Sequence, residues 1–552
     1  MLDLLTPTFW LGIFDDIWQN FRPKTVSDQT PNSKRLSLLA LDIVPDEIWL
    51  NIFDNIAQHN RHLPETTLIN ASLTCRAFRV FSVPLIYRSL VYHPYVVNGS
   101  AGKHWSRPNW CPLSQEQVDH QIQRLAFYSS DSISGHVQQI ELSAKFDENS
   151  QIVTEETSGR IDSLVHRFYD FVLRFTNAQS ILLFYTDVDT FGLQQLSQLP
   201  NLREMRLHGC NLILPVTANL PRLRLRAFWF WHMAKSEELA ELGVARWLAL
   251  LDPDRLEYIR VAPARTSTEF FRHIPSMGPF DLLTTLGIDV KSAQMLMRMP
   301  LLLDKTPSVR HVQFSLFGCV SSAVAKQIAH DLKPFLLPTL QVEEYRGPCE
   351  LLPMVLGSCS KPPPLRRLDI DTLQLDGEPF SVCLQILSLP VCSAQIINVV
   401  SFSAGLKSIE IEDLERLCAL LPNLLDLSLD TVGDRLRLQI VTSKTFLDEI
   451  VELPLPSRIR SLSIDWTAGA FQDVKAKHMQ VRAQLVGRFP SLERLWFCDW
   501  QKSAYLWHRT ASGRELSTVC KTGTDEKNEQ ALDEYFVVFP TPNSHKGHHD
   551  LF

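Results

Sequence analysis

The sequence predicts an α/β chain in which a short three-helix module is followed by an irregular solenoid of short parallel strands and intervening helices. Three observations predict it. At 552 residues the chain is too long for one compact core, so it holds several domains or a repeat array. Along most of its length an apolar residue is followed by others three and five places on, and helical stretches that end at prolines separate the copies. Ahead of that pattern, residues 43–90 pack three apolar, helix-like segments into a run too short to bury them on itself. Hydrophobic content of 45% and charged content of 21% are those of an ordinary folded protein.

Residues 1–36 are expected to hold an amphipathic helix and a linker. Phe9, Trp10, Ile13, Phe14, Ile17, Trp18 and Phe21 recur at helical spacing. The polar face offers Asp15, Asp16, Gln19 and Asn20 in place of the lysines and arginines of a membrane-surface helix. The segment therefore packs on the chain's own body or docks on a partner, with membrane contact the least favoured alternative. Residues 22–37, RPKTVSDQTPNSKRLS, read as a polar linker. The opening MLDLLTPTFW has neither the basic region nor the small-residue cleavage site of a signal peptide, and no stretch has the length and apolarity of a membrane span.

The three-helix module is expected over residues 37–92. Pro45 suits the first turn of a helix, where a missing N–H costs nothing, and Asp46 and Glu47 suit its positive end. Ile48, Ile52 and Ile56, with Trp49 and Phe53 beside them, make one broad apolar stripe. After the polar QHNRHLPETT, Thr66 or Thr67 can cap a second helix carrying Leu68, Ala71, Leu73 and Cys75, and a third segment runs from Phe78 to Leu90, broken by Pro84. Val44-Pro45-Asp46-Glu47-Ile48, Ile52-Phe53 and Cys75-Arg76-Ala77-Phe78 together resemble an F-box, and Pro84-Leu85-Ile86-Tyr87-Arg88 resembles the extension common in fungal members of that family. The resemblance implies docking to the Skp-type adaptor of a cullin-RING ubiquitin ligase through Val44, Pro45, Ile48 and Ile52. Val44 stands where the family prefers leucine. One lost methylene is worth about 0.8 kcal/mol against roughly 1.5–3 for each buried isoleucine, which weakens docking without abolishing it.

Residues 93–135, rich in proline, tryptophan, glycine and serine, are expected to be an irregular connector. The repeat region is placed at 136–500. Its copies are Leu202-Met205-Leu207, Leu225-Phe228-Phe230, Leu256-Ile259-Val261, Leu283-Leu286-Ile288, Val309-Val312-Phe314, Leu365-Leu368-Ile370, Leu424-Leu427-Leu429, Ile459-Leu462-Ile464 and Leu492-Leu495-Phe497. Weaker ones are Val137-Ile140-Leu142 and Ala178-Ile181-Leu183, and the intervals run irregularly from about 23 to about 40 residues. This is the physics of a leucine-rich repeat: the last two apolar positions alternate on a short strand and point inward, the first anchors the turn before it, and neighbours must stack to bury a core. Helical stretches such as 414–423 and 481–491 end at prolines, which favour the extended chain that follows. Residues 501–552 are expected to form a polar, partly disordered tail, in which His545, His548 and His549 lack the partners of a metal site.

On such a strand the residues between the inward positions face the open side of the array. The early copies present Glu204, Arg206, His208, Trp229, Trp231, Tyr258, Arg260, His311 and Gln313, a mixed-to-basic and aromatic run. The later ones present Arg367, Asp369, Asp371, Asp426, Ser428, Asp430, Ser463, Asp465, Arg494 and Trp496, rich in aspartate. Exposed tryptophan and tyrosine are over-represented among binding hot spots, so Trp229, Trp231, Tyr258 and Trp496 lead the candidates for contact with a protein substrate. Arg260, Asp369, Asp426, Asp430 and Asp465 complete the set, the aspartates steering a basic segment toward the array.

No phosphate-cradling, dinucleotide, zinc-protease or nucleophile-elbow motif is present, and glycine is sparse at 21 residues, so neither catalysis nor a cofactor nor a metal is expected. A net charge of −7 gives no sign of nucleic acid, and eleven scattered cysteines fit buried thiols in a reducing cytoplasmic or nuclear setting. The expected function is that of a non-catalytic substrate-recognition subunit of a Skp–cullin–F-box ubiquitin ligase. The alternatives are a repeat scaffold with no role in ubiquitin transfer and an enzyme whose site carries no motif.

Overall fold

The computed structural model describes residues 49–50, 53, 64–74, 76–93, 95–98, 109–144, 155–213, 221–231, 237–262, 264–290, 293–316, 341–356, 365–371, 380–405, 411–431, 455–466, 474–499, 503–509, 513 and 515–521. The chain divides into two compact units, Met1–Arg203 and Glu204–Phe552.

In the first unit, helices α1 (Pro64–Thr74) and α2 (Arg76–Ile86), separated by one residue, pack on each other as a helical hairpin. Pro64 opens α1, where its missing N–H is no loss. Trp49 and Phe53 are helical, four residues apart on one face, and both are buried against α2. The ring of Phe78 lies 4.9 Å from that of Trp49 and 5.3 Å from that of Phe53, and Phe81 stacks on Phe53 at 6.3 Å. Aromatic pairs at such spacing add roughly 0.5–1.5 kcal/mol each beyond their buried area. Pro84 sits inside α2 near its end, so the carbonyl it leaves free belongs to the exposed Val80.

Strand β1 (Ser89–Tyr92) follows, then the antiparallel pair β2 (Tyr95–Asn98) and β3 (Asn109–Pro112) and helix α3 (Gln115–Tyr128). β1 falls at the end of the expected three-helix module, while β2, β3 and α3 lie in 93–135, where an irregular connector was expected. The helix was legible: the Ser114 side chain accepts from the Gln117 N–H while the Gln117 side chain accepts from the Ser114 N–H, a reciprocal cap. Next come β4 (Gln139–Ser143), α4 (Glu155–Val172), β5 (Ser180–Phe184), β6 (Asp187–Asp189) and α5 (Thr190–Ser197). β1, β4 and β5 pair in parallel, in that order.

The second unit holds β7 (Glu204–His208), β8 (Asn211–Ile213), β9 (Ala227–Trp231), α6 (Glu237–Leu250), β10 (Tyr258–Ala262), α7 (Ala264–His273), β11 (Thr285–Val290), α8 (Ala293–Asp304) and β12 (His311–Leu316). It continues with β13 (Glu344–Gly347), α9 (Leu352–Leu356), β14 (Arg367–Asp371), α10 (Phe380–Leu387), α11 (Pro390–Ile396), β15 (Ser401–Gly405), α12 (Ile411–Leu420) and β16 (Asp426–Thr431). Last are β17 (Ser461–Trp466), α13 (Val474–Arg488), β18 (Arg494–Asp499), β19 (Ser503–Arg509) and β20 (Glu515–Lys521). From β7 to β18, leaving out β8, each strand of one large sheet pairs in parallel with the next in chain order. The inward residues pack on the helices: Phe230 lies 6.4 Å from Trp247 of α6, and Phe402 lies 6.4 Å from Phe380 of α10.

One backbone device recurs at each strand entry from β10 to β18. A single carbonyl accepts two successive N–H groups from the next turn: Arg226 O from Glu257 and Tyr258, Thr284 O from Arg310 and His311, Arg310 O from Glu343 and Glu344. Glu343 O, Arg366 O, Val400 O, Leu425 O and Arg460 O do the same for the turns that follow them. Each turn is thereby registered on its predecessor. In the turns before β5 and β16, the side chains of Asn177 and Asn423 donate to the carbonyls of Gly135 and Ile397 in the preceding turn, at 2.7 and 2.9 Å.

The apolar triplets read from the sequence coincide with these turns and strands, and their members are buried. In the parallel run of the second unit, two strands escape the pattern. Val342-Tyr345-Gly347 and Val399-Phe402-Ala404 fill the wide gaps after Val309 and Leu365, with a small residue in the third place. Gly347 is dictated by space: at φ +148° its absent Cβ would lie 2.7 Å from the Phe314 carbonyl oxygen. The expected tail holds β19 and β20, which pair antiparallel and continue the sheet beyond β18.

Candidate interaction surfaces

The residues expected to contact an adaptor, Val44, Pro45, Ile48 and Ile52, lie outside the described residues, as does the amphipathic segment 9–21. What the structure shows of this region is the hairpin that they adjoin. Its inner face is consumed by Trp49, Phe53 and Phe78, while Leu50, Ile69, Leu73 and Val80 stay exposed at 49%, 43%, 79% and 63%. Four large apolar side chains are thus left to solvent on one small module. Alongside α2 runs a groove of about 810 Å³, lined by Leu73, Val80, Val83 and Pro84 with Arg76 and Arg79 among them.

On the sheet of the second unit, the register places Arg206, Trp229, Arg260 and Gly287 side by side across β7, β9, β10 and β11. They form a platform. The Trp229 and Tyr258 rings stack 4.9 Å apart at 13°, and the guanidinium carbons of Arg206 and Arg260 lie 4.6 and 5.5 Å from the Trp229 centroid. Such cation–π contacts are worth about 0.5–1 kcal/mol at exposed sites and more where water is excluded. Glu204 accepts from Arg206 Nε at 2.6 Å and fixes one guanidinium. Gly287 makes room for the other, since a Cβ there would lie 3.1 Å from Arg260 Cγ. Burial holds the Tyr258 hydroxyl above its usual range, and the charge of Arg260 opposes that shift. Beside the platform, His208 and Trp231 stack at 5.6 Å and 11°.

Asp289, next along β11, was not singled out from the sequence. It is buried, and desolvation pushes its carboxyl up to about 7 against the opposing pull of Arg260 and a hydrogen bond from Ser315. A visible signal existed: Asp289 lies two residues beyond Gly287, on the same outward face as the platform.

The aspartates farther along are committed to neighbours. Asp369 is nearly buried and pairs with Arg346 at 3.5 Å, and Asp426 accepts from Ser461 Oγ at 2.5 Å with Arg494 at 3.7 Å. His311 faces Glu344 at 3.1 Å. The strand backbone at Asp371, Asp430 and Asp465 is described, while their side chains are not. Trp496, expected on the open face, is fully buried. It stands opposite Leu506 of β19, which is buried too, so at this end of the sheet the outward face is covered.

Among the described residues, no group of three or more histidine, cysteine, aspartate or glutamate side chains could hold a metal ion, and no helix is long and apolar enough to cross a membrane. Cys210, Cys349, Cys383, Cys392 and Cys418 are buried and unbridged, and burial pushes the Cys392 and Cys418 thiols up to about 12, which keeps them protonated.

No curated protein matches the chain. Among solved structures, a chain described as "Crystal structure of Rad7 and Elc1 complex in yeast" aligns over 81% of this chain and 97% of its own length, at 11% identity and a TM-score of 0.33, a likeness too slight to argue from. Residues 41–93 match the family model described as F-box-like. The chain carries an F-box-like domain there.

Proposed function

We propose that this protein is a non-catalytic substrate-recognition subunit of a Skp–cullin–F-box ubiquitin ligase. The F-box-like match over residues 41–93, agreeing with the Pro45, Ile48, Ile52, Cys75 and Phe78 spacing, carries the reading. Val44, Pro45, Ile48 and Ile52 dock on the adaptor, which brings in cullin. The Pro84–Arg88 extension marks the module as the fungal type, and the strands that follow form a leucine-rich-repeat-like solenoid. The buried triplets and the stepwise carbonyl registration of each turn support that last point. A protein substrate is captured around Trp229, Trp231, Tyr258 and Arg260, in the cytoplasm or nucleus. Holding it beside a ubiquitin-loaded partner replaces a bimolecular encounter by a local one, which is the protein's whole contribution to the chemistry.

Co-purification with a Skp-type adaptor tests this. The wild-type chain is expected to retain the adaptor, and Ile48→Asp to lose it by several kcal/mol as a charge enters the interface. Trp229→Ala is expected to leave adaptor binding intact and to weaken substrate capture. A folded wild-type chain that binds no adaptor would overturn the proposal and leave a scaffold outside ubiquitin transfer.

A further inference from the structure

Helix α2 has two faces, and only one of them is used by the hairpin. Phe78 packs on Trp49 and Phe53. Arg76, Arg79, Val80 and Val83, spaced i, i+3, i+4 and i+7, share the other face and line the groove of about 810 Å³ with Leu73 and Pro84. The lining sets apolar Leu73, Val80, Val83 and Pro84 among basic Arg76 and Arg79, with Ser72 and His136 beside them, and Arg76 and Arg79 make no ion pair among the described residues.

We infer that the occupant of this groove is residues 9–21 of the same chain, docked as an amphipathic helix. Its sequence supplies the complement: Trp10, Ile13, Phe14, Ile17, Trp18 and Phe21 form one stripe in a helix, and helical periodicity sets Asp15 and Asp16 on opposite borders of it, a charge complement to Arg76 and Arg79. The connection is also short. The chain enters the described structure at Trp49, whose ring lies 4.9 Å from Phe78 on the opposite face of α2. A flexible stretch of the length of residues 22–48 reaches tens of ångströms, so the segment is held at a high effective concentration beside the groove. The inference does not depend on the ligase reading, because it uses only this groove and this segment.

The test places a photo-reactive benzoylphenylalanine at Leu73, which is 79% exposed, in the full chain. The expected product is an intramolecular cross-link to a peptide within residues 9–21, with a yield independent of protein concentration. The pair Asp15→Lys and Asp16→Lys is expected to lower that yield several-fold, and adding Arg76→Glu and Arg79→Glu to restore it. Arg76 and Arg79 are exposed, and hydrogen exchange at Phe78 confirms that the module stays folded. A cross-link to another segment, to a second copy, or to residues 9–21 with no response to charge reversal and restoration would overturn the inference.

Discussion

Trp229 shows how little a side chain's type says until its neighbours are known. On its strand it is one of four consecutive aromatic residues, and alternation alone turns it outward with Trp231. Its surroundings are two arginines and a tyrosine that arrive from other strands, with room left by the side chain missing at Gly287. Asp289 belongs to the same neighbourhood and yields a pH prediction. Its folded pKa of about 7 lies above the unfolded value, so between about pH 4 and pH 7 the unfolded chain binds fewer protons than the folded one. The aspartate's contribution to stability is therefore fully present below about pH 4 and is lost as pH rises to about 7. Asp289→Asn is expected to flatten that loss, leaving the variant more stable than wild type at pH 8 by a margin on the order of a few kcal/mol that shrinks at pH 4. Urea unfolding at the two pH values measures it, and an unchanged pH slope would count against a protonated Asp289. Gly347→Ala should cost roughly 2 kcal/mol or more in the same assay, because a Cβ at φ +148° strikes a backbone carbonyl that cannot give way.

At the scale of elements, the turn entering each strand sets the register. One carbonyl receiving two N–H groups fixes how far each strand slides on its neighbour, and register decides which side chains meet across the sheet. Asn423 reinforces one such turn through its bond to the Ile397 carbonyl. Asn423→Ala is expected to cost about 0.5–1.5 kcal/mol, measured by urea unfolding, with binding at Trp229 unchanged. The triplet pattern was legible because it reports burial, which is local and periodic. The strands at 344–347 and 401–405 were not, because glycine and alanine in the third place give no apolar signal. Their need for small residues comes from contacts across the sheet, as the approach of Phe314 to Gly347 shows. Helix α3 was passed over for a different reason: proline and tryptophan around it masked a capping box that was readable at Ser114 and Gln117.

At the scale of the molecule, the second unit is close to one-dimensional, since each strand's main contacts are with its sequence neighbours. Such a sheet needs an end. β19 and β20 turn back antiparallel beside β18 and pair with an edge that would otherwise offer unpaired backbone to another chain. Ending the chain after Asp499 is expected to promote self-association, read by light scattering, while adaptor binding by the F-box-like module persists. Loss of adaptor binding along with solubility would show that the two units do not fold independently.

The sequence by itself determined the F-box-like module, the succession of buried triplets and most of the strands, because each is written as a local period of apolar side chains. It also named Trp229, Tyr258 and Arg260. Only the tertiary structure decided that these three form one stacked platform with Arg206, that Asp369 and Asp426 are taken up by neighbouring side chains, and that Trp496 is buried. The reason is physical: alternation along a strand tells which face a side chain takes, but its exposure and its partners depend on strands brought alongside from elsewhere in the chain.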